Sequence, residues 1–224
     1  MTARIETVML EDGVEIVRLI TNDANIVVPN SVHGVPVVSL GEGFLRDSHG
    51  PGNRNLVIPG SVVRASPDAL ISTSGLRAIN YMGDFETFNT FKWVGSTDCQ
   101  VNCGDGFSFT FLTGYTMAFP DFDNELLASH QRIYEETVMS RLTNPINLTD
   151  ENREKYVKYM KSRTVPMAEH AILENDMNTL RTILDTGMLE ESDLKGLLES
   201  SVRSGRTTST SVIMTAIQVL HYKS

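Results

Sequence analysis

The sequence predicts an α+β protein in which a short β-solenoid over residues 1–120 is followed by an α-helical domain over residues 121–224. A seven-residue motif returns after 30 positions in the first part. Apolar residues there alternate with period two between turns rich in glycine and proline. Beyond Pro120 the apolar residues recur with a helical period instead. Repeats of about 20–50 residues are typical of solenoids, in which each unit stacks on its neighbours.

The repeated motif is IVVPNSV at 26–32, which returns as LVIPGSV at 56–62, and a third unit begins at Leu76. Alternate side chains of a strand point to opposite faces, so one apolar set should stack as an inward ladder. That set comprises Ile26, Val28, Leu56, Ile58, Ile79 and Tyr81. The residues between them would face outward and form a candidate protein-binding face: Val27, Val57 and Asn80. The alternative is an ordinary β-domain with chance internal similarity.

The second unit resembles the BspA-type leucine-rich repeat. LVIPGSVVRASPDAL at 56–70, followed by GLRAINY at 75–81, is similar to the family unit apolar-x-Ile-Pro-x-Ser-Val-x-x-Ile-Gly-x-x-Ala-Phe of about 23 residues. The first unit keeps Gly41 and places Phe44 in the aromatic position. The resemblance covers about 26–85. It implies a right-handed β-solenoid of leucine-rich-repeat type that is used for protein contacts.

Hairpins are predicted as caps at both ends of the solenoid. Asp12-Gly13 separates two apolar runs, and Asp-Gly tolerates the positive φ that tight hairpin turns require. The segment VNCGDGFSFTF at 101–111 predicts a strand, a Gly-Asp-Gly turn and a second strand. A five-residue insert at 33–37 separates the two parts of the first repeat unit.

The second half is predicted to be helical. One helix is expected over about 123–141 and another from the N-cap Thr149 to about Arg163. Two helix pairs follow, at 168–189 and 192–220.

The two helix pairs match at an offset of 30, which places Asn175 and Gly205 at equivalent turns. The first pair ends at Gly187 and is similar to an ankyrin-type helix pair, although the Thr-Pro-Leu-His opening of that repeat is absent. The resemblance implies stacked pairs that offer a concave surface or an oligomer contact. A plain helical bundle that caps the sheets is the alternative.

The composition favours a protein partner. The chain has 28 acidic and 19 basic residues, so its net charge of −9 repels nucleic acid and anionic membranes. The N-terminal segment lacks the apolar run of a signal peptide, and no stretch approaches the ~18 apolar residues of a spanning helix. We therefore expect a cytoplasmic protein with no nucleic-acid or membrane partner.

No sequence pattern predicts a catalytic, cofactor or metal site. Cys99 and Cys103 supply two thiolate ligands, whereas structural zinc takes about four. Asp98 would raise a neighbouring thiol pKa and so disfavour a reactive nucleophile. Ser192 and Lys195 have a Ser-x-x-Lys spacing without the companion motifs of acyl enzymes. The histidines are scattered over positions 33, 49, 130, 170 and 221.

A cluster of aromatic residues follows the third repeat. It consists of Phe85, Phe88, Phe91 and Trp93. Such a cluster is either a plug that seals one end of the solenoid or an exposed binding patch. The plug is the favoured interpretation.

The sequence thus predicts a protein–protein interaction or scaffold module without catalytic activity or cofactor. Its partner is an unidentified protein, and homo-oligomer formation is a further option. The alternative is a carbohydrate-processing or other hydrolytic enzyme on a β-solenoid, which requires carboxylates clustered on one face. The nearby acids follow turns rather than a strand face: Asp84, Glu86, Asp98 and Asp105.

Overall fold

The computed structural model describes residues 3–129, 131 and 133–223. The chain divides into two compact units, Met1–Ser129 and His130–Ser224. The strands belong to the first unit. They are β1 (Arg4–Met9), β2 (Val14–Ile20), β3 (Asn25–Val27), β4 (Ser31–Val32), β5 (Val35–Leu40), β6 (Arg54–Ile58), β7 (Arg64–Ala65), β8 (Leu76–Tyr81), β9 (Cys99–Cys103) and β10 (Ser108–Phe111).

The strands form two sheets, because successive turns of the chain contribute strands to both. In the first sheet β2, β5 and β7 are parallel. In the second sheet β3, β6, β8 and β9 are parallel. Antiparallel β1 and β10 flank β2 and β9 and form the predicted hairpins. The protein is therefore a mixed α and β structure with a β-solenoid of about four turns.

The predicted inward ladder is confirmed. Leu56 pairs with Ile26 on one side and with Ile79 on the other, and all three are at most 1% exposed. Ile58 pairs with Tyr81 and is also fully buried. Each unit thus covers the apolar face of the next, as stacking of incomplete units requires.

The five-residue insert at 33–37 forms part of a hairpin. His33 and Gly34 both have positive φ, 50° and 82°, which is the combination that a two-residue type I′ turn needs. The turn joins antiparallel β4 and β5, where Val32 pairs with Val35. Because β5 still pairs with β2, the insert adds a hairpin and keeps the stacking of the first sheet.

The aromatic cluster after the third repeat is a buried plug, so the exposed-patch interpretation is wrong. Phe85, Phe88, Phe91 and Trp93 are each at most 2% exposed. The Trp93 indole N–H donates to the Ser66 carbonyl just beyond β7 (2.9 Å). The plug therefore covers the apolar core beside the last strand of the first sheet.

The helices begin within the first unit and continue through the second. They are α1 (Phe85–Asn89), α2 (Asp121–Ala128), α3 (Glu135–Thr143), α4 (Asp150–Met160), α5 (Thr164–Glu174), α6 (Met177–Asp185), α7 (Glu191–Arg203) and α8 (Thr207–Lys223).

The prediction of one helix over about 123–141 is wrong, because the chain is extended at Ser129 and again at Tyr134. It forms α2 and α3 instead. Phe122 of α2 packs its ring against Phe109 and Phe111, at centroid distances of 5.4 and 5.3 Å. These contacts place α2 in the first unit, so the two units divide after this helix rather than at Pro120.

The two predicted helix pairs are α5 with α6 and α7 with α8, and α5 packs on α7 while α6 packs on α8. Their turns are alike. Asn175 and Gly205 have positive φ, 58° and 67°. The carbonyl of Ala171 accepts an amide hydrogen bond from the residue after Asn175 (2.8 Å), and that of Ser201 accepts one from the residue after Gly205 (2.9 Å). The 30-residue offset in the sequence therefore relates two helix pairs whose turns have the same structure.

Candidate protein-binding face

The three residues predicted to form a binding face lie in one row across the second sheet. Val27 pairs with Val57, and Val57 pairs with Asn80. The row continues to Asn102 on β9 and Ser108 on β10. Val27 is 61% exposed at one end of the row, and Ser108 is exposed at the other. Register thus brings together side chains that are far apart in the chain.

A second row runs beside the first on the same face. It consists of Asn25, Asn55, Ala78, Gln100 and Thr110. The two rows together are called the outer face. Its side chains are amide, hydroxyl or aliphatic, and the exposed Arg77 lies at a bulge of β8 next to Ala78 of the second row. In a chain of net charge −9, a neutral face is suited to contacts that do not depend on opposite charge.

Side-chain hydrogen bonds connect the strands across the outer face. The Asn80 amide nitrogen donates to Asn55 Oδ1 (2.7 Å), and the Asn102 amide nitrogen donates to Asn80 Oδ1 (3.0 Å). The Ser108 hydroxyl donates to Asn102 Oδ1 (2.8 Å). We call these four residues the amide ladder. The ladder restricts rotamers that would otherwise be free, which lowers the entropy cost of binding a partner.

The amide ladder retains hydrogen-bonding capacity. An asparagine amide has two N–H donors and an oxygen with two lone pairs. Asn80 uses one donor toward Asn55 and accepts one bond from Asn102. A further donor and acceptor site therefore stay available to a partner that covers the face.

Sequence reasoning missed the other members of the ladder: Asn55, Asn102 and Ser108. The signal was present for Asn55, since the repeat alignment places it diagonally across from Asn80 on the same face. Diagonal neighbours on adjacent strands lie within reach of long side chains. Asn102 was harder to find, because β9 departs from the repeated motif.

Three of the four acids that an enzyme on the solenoid would need accept hydrogen bonds from backbone amides. Asp84 accepts from the Thr87 amide as the N-cap of α1 (2.7 Å), and hydrogen bonds from Thr87 lower the pKa of Asp84. Asp105 accepts from two backbone amides, those of Phe85 and Phe107. Asp98 accepts from another backbone amide. These bonds favour structural roles for the carboxylates.

Both cysteines lie inside the solenoid at inward positions of β9. Cys99 and Cys103 are free thiols, and burial raises the pKa of each to about 12. For Cys103 the carboxylates of Asp105 and Asp84 add to the rise. The predicted direction was right, but burial rather than Asp98 is the cause.

The remaining polar candidates are dispersed. His33 lies in the β4–β5 turn, His49 and His170 are exposed, and His221 approaches Glu191 at 3.6 Å. His130 lies outside the described residues. Among the described residues, no group of three or more histidines, cysteines or acids has the arrangement of a metal site.

Ser192 and Lys195 of the Ser-x-x-Lys pattern lie near the start of α7. The cap of α7 is Glu190, whose side chain accepts from the Asp193 amide while the Asp193 carboxylate accepts from the Glu190 amide. Lys195 forms an ion pair with Glu191 one turn earlier. The Ser-x-x-Lys pattern therefore belongs to the capped N-terminal turn of α7.

No family model, curated protein or solved structure matches this chain at a significant level. Within the described part of the chain, no helix is both long and apolar enough to cross a lipid bilayer.

Proposed function

We propose that the protein is a non-catalytic interaction or scaffold module that binds a partner protein through the outer face. The observation that carries this proposal is the alignment of Val27, Val57 and Asn80 across neighbouring strands, continued by the amide ladder. Strand spacing sets side chains of adjacent strands about 4.8 Å apart. The face is therefore ordered before a partner arrives, and less conformational entropy is lost on binding.

The chemistry of the face defines the partner. Val27 offers an apolar contact at the end strand, and the amide ladder offers neutral donors and acceptors beside it. Interfaces of this kind combine apolar contact with hydrogen bonds and bridging water. We infer a protein partner with a matching uncharged surface.

The proposal extends to family likeness. A solenoid of BspA-type leucine-rich repeats is supported by the stacking of IVVP at 26–29 on LVIP at 56–59 and by the buried Phe44 in the aromatic position. An ankyrin-like relationship of the helix pairs is supported by their equivalent turns at Asn175 and Gly205. Both relationships are typical of proteins that bind other proteins through stacked units.

Affinity capture from the source lysate tests the proposal. Wild-type protein and the Val27→Lys/Val57→Lys double variant are compared, with Val8→Lys as control, because Val8 is 49% exposed on β1 of the first sheet. We expect the wild type and the control to retain the same partner and the double variant to lose it. Equal capture by all three proteins, with unchanged circular dichroism, would refute the outer face as the binding site.

A further inference from the structure

The last helix pair leaves exposed the positions that the previous pair buries. Ile172 of α5, which packs against α7, is fully buried, whereas its equivalent Val202 of α7 is 61% exposed. One turn earlier, Ala168 is fully buried, while its equivalent Leu198 is only half-buried. Leu198 and Val202 thus form an open apolar strip on the side of α7 that corresponds to the covered side of α5, next to the exposed ion pair of Lys195 with Glu191.

The second helix of each pair shows the same difference. Leu184 of α6 is half-buried and lines a cleft of about 570 Å³ beside α8. Its equivalent on α8, Met214, is 49% exposed. In α6 the flanking residues are the charged Arg181 and Asp185, and in α8 the equivalent residues are uncharged. These are Ser211 and Thr215.

We call two positions of α7 and two of α8 the open helix face: Leu198, Val202, Ser211 and Met214. The last pair of a helical stack normally presents a polar outer side, because a bare stacking surface lowers solubility. Here the outer side keeps the apolar residues of an internal stacking surface. Another helix pair could pack against this side, because α7 and α8 pack in the same manner against α5 and α6.

Charge indicates which helix pair fits. Two copies of the chain, each with net charge −9, repel each other over most of their surfaces. From Thr207 to Leu220, however, α8 has no charged residue. In a two-fold symmetric contact the same patch meets itself, so an uncharged patch avoids like-charge contacts at the centre.

We propose that two copies of this chain associate through their open helix faces, so that the α7–α8 pair of one copy stacks on that of the other. This contact involves the second compact unit, so it is independent of partner binding by the outer face. A dimer would also present two outer faces at once, which raises the avidity for a repetitive partner.

The test measures molar mass in solution from about 1 μM to about 1 mM by light scattering or sedimentation equilibrium. The proteins are wild type, Val202→Lys, Met214→Lys and Val27→Lys. Val27→Lys is the matched control, because Val27 and Val202 are both 61% exposed. We expect wild type and Val27→Lys to rise toward twice the monomer mass of 24.8 kDa, whereas the two helix variants stay at the monomer mass.

Two results would overturn the proposal. One is a wild type that stays monomeric over the whole range, which would leave the open helix face to a different occupant. The other is a dimer that persists in both helix variants or is lost in Val27→Lys. Helical circular dichroism checks that each lysine variant is folded. Because the Val27→Lys/Val57→Lys variant is assayed for capture, and Val202→Lys and Met214→Lys are assayed for mass, failure of this proposal is distinguishable from failure of the outer face as a binding site.

Discussion

Asn80 connects three strands through one side chain. It donates to Asn55 on β6 and accepts from Asn102 on β9, while its backbone takes part in the parallel pairing on both sides. A half-buried amide with both groups bonded stabilises the sheet and also fixes the orientation of the outer row. Side-chain order on this face therefore depends on a few hydrogen bonds rather than on burial.

We expect Asn80→Ala to lower the free energy of unfolding by about 1–3 kcal/mol, because two hydrogen bonds of about 0.5–1.5 kcal/mol each are lost. Asn25→Ala is the control on the same face, because Asn25 is exposed and lies outside the amide ladder. Urea unfolding of both variants measures the difference. Equal losses at the two positions would show that the amide ladder adds no stability.

The thiols of Cys99 and Cys103 should be inert in the folded protein, because burial raises their pKa to about 12. A thiol reagent at about pH 8 should label them only after denaturation, since the thiolate is the reactive form. Fast labelling of the native protein, without unfolding, would contradict their burial.

The same burial makes stability depend on alkaline pH. An unfolded thiol ionises near pH 9.0, while the folded thiols hold their protons up to about pH 12. Below pH 9.0 both states are protonated, so these groups add no pH dependence. Between these values the unfolded state has lost protons that the folded state keeps, so the free energy of unfolding falls as pH rises. Urea unfolding should show this fall from about pH 9 upward, with a smaller slope in Cys99→Ala.

At the residue scale, periodicity predicted which apolar side chains are buried but not which polar ones are. The burial of Leu56 and Ile79 was predicted because alternation assigns them to one side of the strand. The burial of Arg54 was not predicted, since charged side chains normally lie on the surface. Arg54 is only 2% exposed, and its guanidinium donates to the backbone carbonyls of Ser48 and Thr21, which belong to other segments of the chain. Such partners depend on loop paths that no periodic pattern encodes.

At the scale of elements, the turns of the two helix pairs adopt the same backbone conformation with different residues. Each helix ends in a residue with positive φ, which is Asn175 after α5 and Gly205 near the end of α7. Glycine adopts this conformation without steric cost, and asparagine tolerates it better than most residues. The sequence could predict both turns, because asparagine and glycine are the residues that end helices in this way.

We expect Gly205→Ala to lower the free energy of unfolding by about 1–2 kcal/mol, because a Cβ at positive φ is strained. Asn175→Gly should leave stability unchanged or raise it slightly, since the strain at that turn is removed. Thermal unfolding of the two variants gives the comparison. If Gly205→Ala is as stable as the wild type, the positive φ at this turn is wrong.

The break between α2 and α3 shows where element prediction fails. Leu126, Ile133 and Val138 have a spacing that one helix would satisfy. Tertiary contacts decide otherwise, because Phe122 packs with the aromatic rings of the β9–β10 hairpin, while the Ile133 carbonyl accepts from the Tyr159 hydroxyl. The two ends of the expected helix thus belong to different compact units. The spacing of apolar residues alone cannot show that a segment divides between two compact units.

At the scale of the whole molecule, each unit combines buried residues that stabilise it with an exposed surface for which we propose a contact. In the solenoid, the inward residues stabilise the stack, and the outer face is the surface that we propose for partner binding. In the helical unit, buried residues hold the pairs together and the open helix face is left at the end of the stack. The repeats at 30 residues predicted which solenoid residues face inward and which outward, and which turns of the two helix pairs are equivalent. The amide ladder and the identity of the partner lay beyond it, because they depend on side chains that the repeat does not constrain.

The central claim is that alternate residues of one strand have opposite roles, which neighbouring Leu56 and Val57 of β6 test most directly. We expect Leu56→Ala to lower the free energy of unfolding by about 2–5 kcal/mol, because it leaves a cavity between Ile26 and Ile79. Val57→Ala, on the outer face, should cost less than about 1 kcal/mol. Urea unfolding of the two variants side by side decides the matter. Equal losses, or a larger loss at Val57, would contradict the stacked-rung structure.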